Sequence, residues 1–222
     1  GMMRYVITGG CGFIGSHVVE LLKSKGKKVA IVDKITNRDL VDQKALLQNV
    51  QHFYMDISDP ELMEKALLPD DIVIHLAAQS HVDVSFKNPV QTTVSNVVGV
   101  HSLMAACVKR GVKKIVIMST DEVYGSTEQI VDVNLLNPAN PYSASKAAAD
   151  MIVTAYKTMH PEITITTLRS NNIAGPGQFI NNIIPRFSVL GLLKKKFTLH
   201  GDGSAMRRYL WVKDAAEAIW LL

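Results

Sequence analysis

Tyr5-Val-Ile-Thr8-Gly9-Gly10-Cys11-Gly12-Phe13-Ile14-Gly15 decides how the chain folds. A short β-branched run reads as a buried strand, and apolar residues at helical spacing follow from Phe13 to Lys25. Between them Gly9, Gly12 and Gly15 supply a tight turn, close backbone approach to a pyrophosphate and close helix–sheet packing, with Phe13 and Ile14 in the same loop. The amides and positive dipole end of the following helix then face the phosphates. Asp33 ends the second apolar run, Lys28 to Asp33. Its carboxylate can accept from the adenosine ribose hydroxyls and would repel a 2′-phosphate, so the pattern predicts NAD over NADP, with Lys34 and Arg38 as the nearby cations an NADP site would use.

Outward from this unit, strands and helices alternate. His52 to Asp56, Asp71 to His75, Lys114 to Met118 and Ile163 to Leu168 read as further strands. Helical patterning follows Asp39 and Asp59, with Asp59-Pro60 a cap and first-turn pair, and returns over Val90 to Arg110 and Ser143 to His160. This predicts an α/β fold: a doubly wound parallel sheet of Rossmann type, covered on both faces. After Asn172 the pattern weakens. A helix around Ile183 to Leu193, short strands near Phe197 to His200 and Tyr209 to Val212, and a helix from Lys213-Asp214 are expected there. We therefore expect an NAD-binding domain with the catalytic residues over 1–172, and a partial substrate-binding region with the last sheet elements over 173–222. The apolar ending Ile219-Trp220-Leu221-Leu222 has no capping residue, which reads as a truncated C-terminal part. Gly1 before Met2 resembles a remnant of tag cleavage.

Composition bounds the partners. With 222 residues and 47% hydrophobic content the chain can bury a full core. A net charge of +4 with scattered basic residues does not make a nucleic-acid patch, and Lys194-Lys195-Lys196 reads as a solvated helix end. No apolar stretch reaches the roughly 18 residues of a membrane span. Cys11 and Cys107 belong to no Cys-x-x-Cys or Cys/His cluster and read as reduced thiols of a cytoplasmic protein. His75 and His81 have no ligand-spaced partner, so no metal site is expected and both read as pocket-wall or core residues.

A second constellation carries chemistry. The strand ending at Met118 leads into Ser119-Thr120-Asp121-Glu122, and Tyr142-Ser-Ala-Ser-Lys146 follows on a helical pattern. Residues i and i+4 share a helix face, so the Lys146 ammonium can stabilise the Tyr142 phenolate and make a weak base usable.

Together these residues resemble the extended short-chain dehydrogenase/reductase family, and within it the nucleotide-sugar 4,6-dehydratases. The resemblance runs from Tyr5 to Leu222. It implies that Asp56-Ile57 contacts adenine, that His75-Leu-Ala77-Ala78-Gln79-Ser80-His81-Val-Asp83 lines cofactor and sugar, and that Asn96 joins the cofactor-side network. It further implies that Asn172, and Arg207 in His200-Gly-Asp-Gly-Ser-Ala-Met-Arg207, bind the substrate diphosphate. Ala77 and Ala78 fall to the cofactor, Gln79 and His81 to the sugar. Asp121-Glu122 is typical of members acting on dTDP- or UDP-glucose. Two departures stand out. Ala174 precedes Gly175-Pro176 and Gln178-Phe-Ile-Asn181-Asn182 follows, where family dehydratases often carry an aromatic and Pro-Glu-Lys. The family also continues for roughly another hundred residues.

The implied function is NAD-dependent dehydration of a nucleotide hexose to its 4-keto-6-deoxy product, a lyase reaction. Thr120, Asp121, Glu122, Tyr142 and Lys146 would be its catalytic set, and a homodimer formed through the two long helices its assembly. A 4-epimerase using Tyr142, Thr120 and Lys146 without elimination, and a catalytically silent NAD-binding domain, are the alternatives.

Overall fold

The computed structural model describes residues 3–9, 13–34, 47–76, 88–119 and 141–169. The elements are β1 (Arg4–Thr8), α1 (Phe13–Ser24), β2 (Lys28–Val32), β3 (Gln51–Phe53), α2 (Pro60–Ala66), β4 (Ile72–His75), α3 (Pro89–Thr93), a π-helical turn (Val94–Val98), α4 (Gly99–Arg110), β5 (Lys114–Ser119), α5 (Pro141–Met159) and β6 (Thr164–Arg169). The six strands are ordered β3-β2-β1-β4-β5-β6, and every adjacent pair is parallel. This is the doubly wound, Rossmann-type order, with its reversal between β1 and β4.

Period-2 alternation splits the core in two. Tyr5, Ile7, Val29, Ile31, Ile72, Ile74 and Val116 pack under Val18, Val19 and Leu22 of α1. Val6, Ala30, Val32, Val73, Ile115 and Ile117 point to the opposite face. There they meet Met63 and Ala66 of α2, Leu103, Met104 and Cys107 of α4, and Ala149 and Val153 of α5. Both faces are therefore apolar, which is why the strands read as near-continuous hydrophobic runs.

Local chemistry sets the element ends. The Asp59 carboxylate accepts from Leu62 N at 3.1 Å with Pro60 in the first turn, as the Asp-Pro pair predicts. Gly111, at φ +77, ends α4 in the left-handed cap that favours glycine. Burial, with Asp71 adding, pushes the free Cys107 thiol up, so it stays protonated. Most element ends fall within a residue or two of expectation. β2 stops at Val32, and β3 stops at Phe53, because the chain turns at Asp56, whose side chain accepts from Ser58 N at 3.0 Å and Ser58 Oγ at 2.8 Å. The long helix expected from Val90 starts at Pro89 and is interrupted by the π-helical turn. The helix expected after Asp39 and everything expected after Asn172 lie outside the described residues, as does Cys11.

At the N-terminal edge of the sheet Arg4 and Asp71 are buried as a pair. Arg4 Nε donates to Asp71 Oδ1 at 2.9 Å and Nη2 to Oδ2 at 2.7 Å. Nη1 also donates to Gln51 Oε1 and Nη2 to the Ala66 carbonyl, and Asp71 also accepts from Leu68 N. The Arg4 guanidinium lies 5.7 Å from the centre of the Phe53 ring. Leaving either charge alone in such a place costs about 3–5 kcal/mol, so full pairing is what permits the burial. The network ties the start of β1 to β3 and to the α2–β4 connection.

Candidate dinucleotide and catalytic site

Because all strands are parallel, Thr8, Asp33, Asp56, His75 and Ser119 arrive at one edge of the sheet. The crevice outside β1 and β4 opens there, where neighbouring strands send the chain in opposite directions. Gly9 turns out of β1 at φ +74, and its N–H donates to the Val32 carbonyl at 2.9 Å. Gly15 is buried in the first turn of α1. Asp33 is part-exposed just past β2, its backbone N–H held by the Phe53 carbonyl at 3.2 Å. A left-handed glycine turn ahead of a helix, with a carboxylate beside it, fits the phosphates and ribose of a dinucleotide.

The Asp56 turn has its own electrostatics. Partial burial raises the carboxyl's pKa, but hydrogen bonds from Ser58 and Lys34 and the Lys34 charge outweigh it, so the group titrates below its ordinary value. Lys34 Nζ lies 2.9 Å from Asp56 Oδ2, which engages one of the two cations an NADP site would use. Ile57 is buried against α4, where a Cβ on Gly99 would come within 2.9 Å of its Cγ1 and Cδ1. Gly99 therefore lets this turn rest on the helix, a role no local sequence signal announces.

Asn96 sits in the π-helical turn, almost fully buried. Its Nδ2 donates to Ser145 Oγ at 2.8 Å, which ties the turn to α5 one residue before Lys146. Asn96 Oδ1 is buried and accepts from no donor among the described residues. A π turn is rare and clusters at functional sites, and here it carries the residue that reaches across to α5. Lys146 is only 7% exposed, and Tyr142 lies one turn before it in α5. Ser119 ends β5 next to Thr120 in the chain. Gly12, Ala77, Ala78, Gln79, His81, Thr120, Asp121, Glu122, Asn172 and Arg207 lie outside the described residues, as do the side chains of Phe13, Ile14 and Tyr142.

His75 is the polar residue of β4, and the register sets it opposite Thr8. Its Nδ1 is 2.7 Å from Thr8 Oγ1, while Thr8 Oγ1 accepts from Leu76 N at 3.1 Å. Burial, with the Lys146 charge adding, drives the imidazole pKa down to about 3, so it is neutral at physiological pH. The expectation of a buried wall residue holds, and the described residues contain no cluster of metal-ligating side chains.

These features define a dinucleotide-binding α/β protein, and comparison with known proteins identifies which. The family model described as "NAD dependent epimerase/dehydratase family" matches residues 5–222. The chain belongs to that family, and its cofactor is NAD. It is 39% identical, over 98% of its length, to a dTDP-D-glucose 4,6-dehydratase of Dictyostelium discoideum, and covers 54% of that protein. It is 39% identical to a trifunctional UDP-glucose 4,6-dehydratase/UDP-4-keto-6-deoxy-D-glucose 3,5-epimerase/UDP-4-keto-L-rhamnose-reductase of Arabidopsis thaliana, covering 96% of this chain and 34% of the other. Among solved structures it is similar to the dTDP-glucose 4,6-dehydratase DesIV of Streptomyces venezuelae with NAD bound, at TM-score 0.68 and 33% identity, covering 87% of this chain and 63% of the other. A UDP-glucose 4-epimerase of Thermus thermophilus with NAD matches at TM-score 0.65 and 33% identity, over 86% and 61% of the two chains. The chain thus spans about half the length of its Dictyostelium relative.

The neutral state of His75 links folding to pH. The unfolded residue titrates near 6.5 and the folded one near 3. Between those values the unfolded chain binds the proton and the folded chain does not. The contribution is therefore complete above pH 6.5 and declines as pH falls, by about 1.4 kcal/mol per unit for one proton. Urea unfolding of this chain at stepped pH should show that decline, and His75→Asn should flatten it. An unchanged slope in the variant would assign the acid sensitivity to other groups.

Proposed function

We propose that the chain is the cofactor-binding and catalytic part of a nucleotide-sugar 4,6-dehydratase acting on dTDP- or UDP-glucose. The observation that carries this is 39% identity, over nearly the whole chain, to a dTDP-D-glucose 4,6-dehydratase. The Asp121-Glu122 pair directly after β5 supports it.

In this reading Gly9, Gly12, Gly15, Asp33 and the Asp56-Ile57 turn hold the cofactor, with Ala77, Ala78 and Asn96 along it. Gln79 and His81 face the sugar, and Asn172 and Arg207 take the diphosphate. Tyr142, its phenolate stabilised by Lys146 and assisted by Thr120, removes the proton of the C4 hydroxyl. NAD held there would supply the acceptor for the C4 hydride and its source for C6, the step at C6 being balanced by return of a proton to C5. The C4 ketone acidifies the C5 hydrogen, which Glu122 removes, and Asp121 protonates the C6 hydroxyl as it leaves. Adjacent carboxylates repel each other when both are ionised, which raises one pKa and separates an acid from a base. A 4-epimerase is the second reading, supported by the structural likeness to the Thermus UDP-glucose 4-epimerase. It would use Tyr142, Thr120 and Lys146 alone.

The same reading includes a homodimer and a cytosolic location, which the reduced, buried Cys107 fits. Val90 and Val98, on the helix that runs into α4, and Met151 and Met159 on neighbouring α5 are large apolar side chains at 76, 47, 65 and 64% exposure. A second copy would cover them. Light scattering at micromolar concentration should give twice the monomer mass, and a monomer alone would overturn the assembly.

No helix among the described residues is long and apolar enough to cross a membrane. The test of the chemistry is Glu122→Gln in the complete gene product. A general base contributes on the order of 10²–10⁴ in rate, so the variant should bind NAD normally and accumulate the reduced cofactor's absorbance without forming a 6-deoxy product. Wild-type turnover between two C4 epimers with no loss of water would give the site to the epimerase reading.

A further inference from the structure

Between the sheet and the helices on its α5 side lies a small cavity of about 10 Å³, lined by His75, Val100, Ile117, Lys146, Ala149, Asp150 and Val153. That is the room one water's centre requires. Four of the seven lining residues are apolar, and the polar ones are His75, Lys146 and Asp150. His75 Nε2 is buried and has no hydrogen-bond partner among the described residues. Asp150 sits one turn after Lys146 on α5, so their side chains share a helix face.

The proton on His75 follows from its other nitrogen. Thr8 Oγ1 already accepts from Leu76 N, and among the described contacts its one hydrogen has His75 Nδ1 as its acceptor. The arrangement in which Thr8 Oγ1 accepts from Leu76 N and donates its hydrogen to His75 makes Nδ1 the bare nitrogen and puts the ring hydrogen on Nε2, on the cavity side. An Nε2–H and an ammonium are both donors and cannot satisfy each other. A water can accept from both and still donate to a carboxylate.

We infer that His75 is a positioning residue for Lys146: its Nε2–H and the Lys146 ammonium both donate to one buried water, which donates in turn to Asp150. The imidazole suits this place because it stays neutral beside the ammonium, whereas a charged ring would repel it. The chain of contacts runs from Thr8, beside the glycine turn, through His75 to the lysine that tunes Tyr142. It rests on the dehydratase reading only for the consequence to catalysis. The contacts themselves stand on the geometry of β1, β4 and α5.

Two measurements test it. Long-range ¹⁵N–¹H correlation spectra of this chain should show His75 neutral with its hydrogen on Nε2, and Lys146→Met should move the His75 ring signals. An Nδ1–H tautomer, or ring signals indifferent to Lys146→Met, would overturn the assignment. In the complete gene product His75→Asn keeps an acceptor for Thr8 but loses the Nε2–H, whereas His75→Gln places an amide N–H near the Nε2 position. Loss of one hydrogen bond serving a charged group predicts kcat about tenfold lower in His75→Asn, with KM and NAD affinity unchanged. His75→Gln should recover most of that loss. Equal loss in both variants together with lowered melting temperatures would make His75 structural only, and wild-type kcat in both would remove it from the site. If the spectra give the Nε2–H tautomer coupled to Lys146 while the wild-type protein turns over no nucleotide sugar, the contact stands and the dehydratase reading falls.

Discussion

The β1–β4 junction is the constraint on which the molecule depends. These two strands are neighbours in the sheet but far apart in sequence, and the chain leaves them in opposite directions. A crevice must open between the departing segments, and parallel strands send every C-terminal end toward it. Thr8 and His75 close the floor of that crevice with a hydrogen bond across the register pair. The glycine turn departs from one side of this floor, and the segment beginning at Leu76 from the other. The glycine turn and the helix that carries Tyr142 and Lys146 are then placed by the same geometry.

Polar groups buried in an apolar sheet define its two ends. Arg4 and Asp71 are held at the N-terminal edge by a network that uses each guanidinium nitrogen and both carboxylate oxygens. That edge carries charge, and the charge is fully paired. At the opposite edge the buried groups include the neutral Thr8, His75, Asn96 and Ser145, with Lys146 the cation among them. Among the described residues Asn96 Oδ1 and His75 Nε2 have no hydrogen-bond partner. An unmet buried polar atom costs about 1–3 kcal/mol. One edge of the sheet is held by a paired charge network, and the other carries buried neutral polar groups beside Lys146.

Much of this was legible in the sequence for identifiable reasons. The strands are short apolar runs with both faces buried, the glycine spacing has one structural use ahead of a helix, and Asp59-Pro60 is a local cap. Tyr142 and Lys146 read as one helix face because the periodicity is fixed by the backbone. What did not read out depends on distant packing. Val94-Ser-Asn-Val-Val98 carries no mark of a π turn. Gly99 looks like a poor helix residue until Ile57 is seen against it. Ser145 and Asp150 are ordinary helix positions until Asn96 and His75 arrive from other elements. The end of β3 was misplaced because an Asx turn at Asp56 overrides the strand pattern.

The central claim is that this site removes water from a hexose through loss and return of a hydrogen at C5. It is tested most directly by turning over dTDP- and UDP-glucose with the complete gene product and NAD in deuterated water, then weighing the nucleotide sugar. The account predicts a product lighter by one water and carrying one non-exchangeable deuterium at C5. A product of unchanged mass with no deuterium on carbon would contradict it.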